Sequence, residues 1–227
     1  MIELHNCDCL PFMKSLPDKA FDLAICDPPY GIGLDMVTKV SGNKHNGKRD
    51  KTLVKHEAKT WNNHIPPKEY FIELHRISKH QIIWGCNYYA QFIPAIGRIV
   101  HDKMMSTEDT AFKWSDADLA SCSLQRRITM FRYQWQGNKQ NNTINWKNTG
   151  IDSRIHPTQK PVALYKWLLK NYAKPGQKIF DSHCGSGSIL IACHDYNFDI
   201  TACELDKDYY EAALKRLKQH QSQLSLI

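Results

Sequence analysis

Residues 180–188 read Phe180-Asp181-Ser182-His183-Cys184-Gly185-Ser186-Gly187-Ser188. A short strand-like run, Lys178 to Asp181, ends in a carboxylate; two glycines then open a turn into an apolar helix start. That order lets a ligand approach the backbone closely and meet helix N-terminal N–H groups. Roughly twenty residues on, the run Asp199 to Glu204 ends in a second carboxylate, placed to hold the two ribose hydroxyls of an adenosine. The turn is neither a full G-x-G-x-x-G pattern nor a phosphate loop carrying Lys. It predicts a nucleoside-binding crevice at the carboxyl ends of parallel strands.

Working outward, the chain alternates strand-like and helix-like runs, which predicts an α/β fold with a mostly parallel sheet covered by helices on both faces. Phe21 to Cys26 is an apolar strand that stops at Asp27-Pro28-Pro29-Tyr30, because prolines cannot continue a central strand. After Pro66-Pro67, Tyr70, Phe71, Leu74 and Ile77 mark one apolar helical face, and Gln81 to Cys86 reads as the next strand. Val162, Leu164, Tyr165, Leu168 and Leu169 mark another helix after Pro161. Beyond Glu204, Asp208 and Glu211 stand in capping-box spacing, with Tyr210, Ala213, Leu214 and Leu217 as the expected buried stripe. One domain spanning 1–227 is expected, with a mobile basic loop at 35–60 and a target-recognition insertion within 97–154.

The chain has 227 residues, a formal net charge of +7 and 42% hydrophobic residues. This is the composition of a globular protein with a hint of a polyanionic partner. No apolar run approaches the roughly twenty residues of a membrane span, and the N-terminus lacks signal-peptide features, so the cytoplasm is the expected location. The 8 Cys show no C-x-x-C spacing; buried, reduced thiols are expected, with Cys7 and Cys9 alternating on a strand. The adjacent His183 and Cys184 cannot supply a tetrahedral shell, and no metal is expected.

Taken together, Asp27-Pro28-Pro29-Tyr30, His156-Pro157-Thr158-Gln159-Lys160-Pro161, the Gly185-Ser186-Gly187-Ser188 turn and Glu204 resemble, in their order, the permuted β-group amino-methyltransferases of DNA. The resemblance covers nearly the whole chain. It implies a Rossmann-like methyltransferase fold in circularly permuted motif order, S-adenosyl-L-methionine as cofactor and double-stranded DNA as substrate. The chain also resembles compact solitary methyltransferases of phages and of restriction-modification systems. The resemblance puts Asp27, Pro28 and Tyr30 at the target base. It assigns cofactor contacts to Asp8, Cys9, Asp27, Thr158, Lys160, Asp181, His183, Gly185, Ser186, Gly187, Glu204 and Leu205. Asp8 then meets the adenine amino group of the cofactor, Glu204 its ribose, and Thr158, Lys160 and Asp181 its methionine end. The lead-in Ser182-His183-Cys184 departs from the family's usual Asp-Pro-Phe.

The activity implied is site-specific methylation of adenine N6. N4-cytosine methylation uses the same geometry, with Ser more often in place of Asp27. A catalytically silent DNA-binding module is the third alternative. Lys44, Lys48, Arg49, Lys51, Arg126 and Arg127 are the expected DNA contacts. The end Gln223-Leu224-Ser225-Leu226-Ile227 resembles the peptide by which bacterial proteins dock into the sliding clamp, with Gln223, Leu224, Leu226 and Ile227 as contacts. A second copy of the chain is a further expected partner.

Overall fold

A computed structural model describes residues 1–33, 62–94, 96–104, 115–135, 155–156 and 158–223, and the backbone alone at 44–45, 48–49, 136, 139–140 and 224. The described chain divides into two compact units, Met1–Pro28 with Pro66–Ile227, and Pro29–Ile65.

The elements run β1 (Ile2–Asn6), α1 (Cys9–Lys14), β2 (Phe21–Cys26), β3 (Lys44–His45), β4 (Lys48–Arg49), α2 (Lys68–Ile77), β5 (Ser78–Trp84) and β6 (Gly97–Asp102). They continue with β7 (Ala117–Cys122), β8 (Ile128–Arg132), β9 (Trp135–Gln136), β10 (Lys139–Gln140), α3 (Val162–Tyr172), β11 (Lys178–Asp181), α4 (Ser188–Asp195), β12 (Asp199–Glu204) and α5 (Lys207–Leu224). In the larger unit eight strands form one sheet in the order β1-β12-β11-β2-β5-β7-β6-β8. The five strands from β1 to β5 in that order are mutually parallel; β7 is antiparallel to both its neighbours, and β8 runs parallel to β6. The last strand of the chain therefore lies beside the first. This is the expected mostly parallel α/β sheet.

Side chains alternate across the sheet. Leu23, Ile25, Ile82, Trp84, Ile179 and Ile200 join one buried cluster with Leu164 and Leu168 of α3, Ile189 and Leu190 of α4, and Leu217 of α5. Phe180, next to Ile179, points the other way, and its ring stacks with Phe21 at 4.8 Å and with Phe12 of α1 at 6.5 Å. The α2 stripe Tyr70, Phe71, Leu74 and Ile77 is wholly buried, as its 3.6-residue period predicts. Truncating a fully buried leucine such as Leu168 costs about 2–5 kcal/mol.

Four sequence expectations need correction. The strand read from Gln81 starts at Ser78, directly after α2, and stops at Trp84, because Gly85 turns at φ +72° and donates its N–H to Leu119 O. Cys9 does not alternate on a strand: it opens α1, whose N-cap is Asp8, the Oδ1 accepting from Leu10 N at 2.9 Å. The cap of α5 is Asp206, whose Oδ1 accepts from the N–H groups of Asp208 and Tyr209, so Asp208 lies inside the first turn. And α5 runs on to Leu224, so Gln223 and Leu224 are helical, not a tail beyond the last helix; Leu226 and Ile227 lie outside the described residues.

Within 97–154, the sheet itself takes β6, β7 and β8. Residues 105–114, 137–138 and 141–154 lie outside the described residues, as does most of the 35–60 loop. In the smaller unit β3 and β4 pair as an antiparallel hairpin. Lys44, Lys48 and Arg49 are described there by backbone only, and Lys51 not at all. Among the described residues no helix is long and apolar enough to cross a membrane.

Candidate active site

Three neighbouring strands bring three carboxylates to one edge of the sheet. Asp27 follows β2, Asp181 ends β11, and Glu204 ends β12; β11 lies between the other two. The chain leaves β11 through α4 towards β12, and leaves β2 through α2 towards β5, so the order reverses between β11 and β2. Ligands of open α/β sheets bind at such a switch point, beyond the carboxyl ends of the strands.

Asp181 is 1% exposed, and His183 donates its N–H to Oδ1 at 3.0 Å. Burial pushes its carboxyl up to about 8; the negative charges of Asp27 and Glu204 push the same way, against the His183 N–H and Lys160. The site thus holds a carboxyl whose ionisation calls for added positive charge.

Glu204 is built into the glycine turn. Its Oε2 accepts from Gly185 N at 2.7 Å and its Oε1 from Asp206 N at 2.9 Å. A carboxylate oxygen can accept from more than one donor. Gly187 stands at φ +73°, and a Cβ there would lie 3.0 Å from the Cβ of Ala213, so glycine serves both the left-handed turn and the close approach of α5. Arg216 of α5 then donates to Ser186 O at 2.9 Å and Ser188 Oγ at 3.0 Å, pinning the turn from behind.

The loop before α3 delivers Lys160. Gln159 ties it down: its N–H reaches His156 O, its Oε1 accepts from Ile155 N, and its carbonyl accepts from Trp135 Nε1 at 2.7 Å. Lys160 is 6% exposed; its Nζ lies 2.6 Å from Asp27 Oδ2 and 5.2 Å from the centroid of the Trp84 ring. Thr158 Oγ1 lies 3.2 Å from His156 Nδ1, and the His156 ring is 3.7 Å from where a Cβ on Gly185 would sit. The carbonyl of Pro28 accepts from Tyr89 Oη at 3.0 Å, the same distance that separates this hydroxyl from Trp84 O.

His183 is half-buried in the turn. Its Nδ1 meets Ser182 Oγ at 2.8 Å, which meets Tyr70 Oη at 2.6 Å, and its Nε2 lies 3.9 Å from Cys9 Sγ. Burial lowers this imidazole to about 4, so it is neutral near pH 7 and serves the turn as a packed hydrogen-bonding ring. Leu205, beside Glu204, is 70% exposed, with its carbonyl held by Asn6 Nδ2 at 3.1 Å.

The larger unit therefore brings Asp27, Pro28, Lys160, Asp181 and Glu204 to the same strand edge. Tyr30 belongs to the smaller unit, where its N–H donates to Asn62 Oδ1 at 2.8 Å. Arg126 and Arg127 are exposed just before β8, at the amino-end edge of the sheet, the edge opposite Asp27; the fold does not bring them to the site. The sequence reading missed Tyr89, Tyr70 and Arg216. Arg216 had left a signal, a charged residue at the core spacing of α5, between Ala213 and Leu217.

Residues 129–215 match the family model described as DNA methylase, of the N6/N4 class. YubD of Escherichia coli (strain K12), named as a methylase, is 23% identical over 222 residues, covering 92% of this chain and 87% of YubD. The crystal structure of the M1.HpyAVI complex with SAM superimposes with TM-score 0.57 at 18% identity, over 96% of this chain and 100% of that one. The cytosine-N4-specific PvuII DNA methyltransferase gives TM-score 0.56 at 10% identity, over 98% of this chain and 92% of that one. Residues 129–215 are thus similar to the N6/N4 DNA methylases, and the chain shares the Rossmann-like fold of the solved methyltransferases.

Proposed function

We propose that this protein methylates N6 of adenine in double-stranded DNA, with S-adenosylmethionine as donor. The observation that carries the reading is the convergence of Asp27, Asp181 and Glu204 at the carboxyl ends of three adjacent strands, with Asp27 leading into Pro28-Pro29-Tyr30.

The residues fit the cofactor. Glu204, at the end of its strand beside the glycine turn, is proposed to accept from the two ribose hydroxyls, and the buried Asp181 suits a ligand bearing positive charge. Asp8, Cys9, Thr158, His183, Gly185, Ser186 and Gly187 complete the proposed lining, with the exposed Leu205 as an apolar surface beside Glu204. When bound, S-adenosylmethionine supplies a methyl group on a cationic sulfur.

The chain's own residues then act on the amine. The nitrogen of adenine N6 is a weak nucleophile because its lone pair is delocalised into the ring. Asp27 and the Pro28 carbonyl each accept one N–H, which draws the nitrogen towards tetrahedral geometry and stabilises the positive charge that develops. Holding the lone pair in line supplies much of the acceleration. The target base must leave the duplex, and Tyr30 offers a face on which it can stack. Lys44, Lys48, Arg49 and Lys51 are the proposed phosphate contacts; neutralising all four should flatten the salt dependence of DNA binding.

N4-cytosine methylation is the second reading, favoured by the likeness to the PvuII enzyme. One experiment separates the two: incubate DNA with protein and S-adenosylmethionine, digest to nucleosides, and identify the modified base. N6-methyl-2′-deoxyadenosine supports the proposal, N4-methyl-2′-deoxycytidine replaces it, and no modified base removes both. Docking of residues 223–227 on a bacterial sliding clamp belongs to the same proposal. It requires the helical Gln223 and Leu224 to unwind, and a clamp pull-down with and without these residues tests it. Pairing of two copies is tested by light scattering.

A further inference from the structure

A second cluster lies at the other end of α4 from the glycine turn, about 12 Å away for a helix of this length. His194 and Asp195 close α4, and His220 reaches them from α5. His220 Nε2 lies 2.5 Å from Asp195 Oδ1, and His194 Nδ1 lies 3.3 Å from the same oxygen. The three ligand atoms are all within 4.8 Å of one another. The rings stand nearly perpendicular, at 84°, with centroids 5.7 Å apart, so both aim a nitrogen at one point. Lys166 of α3 occupies the other oxygen, Nζ to Oδ2 at 2.6 Å, and already supplies the counter-charge that the carboxylate needs.

We propose that His194, Asp195 and His220 form a site for a borderline divalent transition-metal ion, with Zn(II) the best match, that clips α4 to α5. Two imidazoles and one carboxylate are the ligands such ions prefer, whereas calcium and magnesium take oxygen. Tetrahedral zinc with bonds of about 2.0–2.1 Å sets ligand atoms about 3.3 Å apart. The present 2.5 and 3.3 Å contacts, with all three ligand atoms within 4.8 Å of one another, bracket that spacing. Three protein ligands leave a fourth position for water. The ligands come from two helices far apart in sequence, which is why no ligand spacing marks the site in the chain. The competing thiols are poor rivals: of the eight free cysteines, seven are buried and Cys7 is partly so.

The test uses the full chain, stripped of metal, at pH 7.5. Calorimetric titration with ZnCl2 should show one saturable site of micromolar or tighter affinity and a raised Tm. His194→Gln with His220→Gln should weaken it at least tenfold. Co(II) added in place of zinc should give visible ligand-field bands without a sulfur-to-cobalt charge-transfer band. Equal zinc affinity in the double variant would overturn the proposal, as would a charge-transfer band at one equivalent of Co(II), which would put the metal on cysteine. The cobalt spectrum needs no variant, so it decides the matter even if the double variant fails to fold.

Discussion

Lys160 Nζ and Asp27 Oδ2 stand 2.6 Å apart with their side chains 5% and 14% exposed, a buried ion pair joining residues 133 positions apart in the chain. The pair sets Oδ2 against the ammonium, and Oδ1 is the oxygen proposed to meet an amine N–H. Removing one partner of such a pair strands a charge. Lys160→Met should therefore lower unfolding free energy by about 3–5 kcal/mol in urea titrations. Adding Asp27→Asn to that variant should restore part of the loss. Equal losses with and without Asp27→Asn would mean that Lys160 acts through packing against Trp84 alone.

Asp27→Ala should abolish methyl transfer while S-adenosylmethionine binding persists, because the residue is proposed to meet the amine. Single-turnover assays with labelled donor, beside calorimetry of the donor alone, separate the two effects. Turnover at the parent rate would remove Asp27 from the reaction.

Glu204→Ala should weaken S-adenosylmethionine by at least about tenfold, equivalent to about 1.4 kcal/mol. Its carboxylate also anchors Gly185 N and Asp206 N, so the turn should loosen as well. Glu204→Gln, which keeps an acceptor, should fall between the two. Identical affinities in all three proteins would place the nucleoside elsewhere.

The buried Asp181 and the half-buried His183 set opposite pH limits. Asp181, raised to about 8, keeps its proton in the ligand-free fold where the unfolded chain has lost it; its contribution is full below about 4 and is lost as pH climbs through about 8. His183, lowered to about 4, contributes above about 6.5, and that contribution is lost as pH falls through about 4. Chemical denaturation from pH 4 to 9 should show Asp181→Asn flattening the alkaline limb and His183→Gln the acid limb. For the same reason, donor binding below pH 8 should release a proton, visible as calorimetric heats that change with the ionisation enthalpy of the buffer.

Gly187→Ala should destabilise the fold and weaken the donor together, because φ +73° and the 3.0 Å approach to Ala213 both oppose a Cβ. Ala213→Gly in the same chain should relieve the contact but not the backbone strain, so recovery should be partial in both readouts.

Much of this was legible in the chain. The runs ending at Asp27, Asp181 and Glu204 announced strands because apolar residues stop abruptly at proline, at a glycine turn, or at a carboxylate. The periods of α2 and α3 named their buried faces correctly. What one dimension could not show was pairing. Nothing in the sequence joins Lys160 to Asp27, Tyr89 to the Pro28 carbonyl, or His220 to Asp195, since each contact follows from strand order and helix packing. Residues 97–154 resisted reading in part for a related reason. Strand β7 is antiparallel and β8 carries exposed Ile128 and Met130 at the sheet edge, so their patterns follow neither the buried nor the cleanly alternating template.

The pairing of β1 with β12 has a consequence for how the protein is made. Synthesis delivers β1 long before β12, its partner in the sheet. Until then the strand has no ladder to join, and the three carboxylates cannot assemble, because two of them arrive with β11 and β12. Such long sequence separation makes folding slow and exposes unpaired edges on the way. A nascent chain stalled before residue 178 should therefore bind no nucleoside, and the site should appear only once β12 has cleared the ribosome.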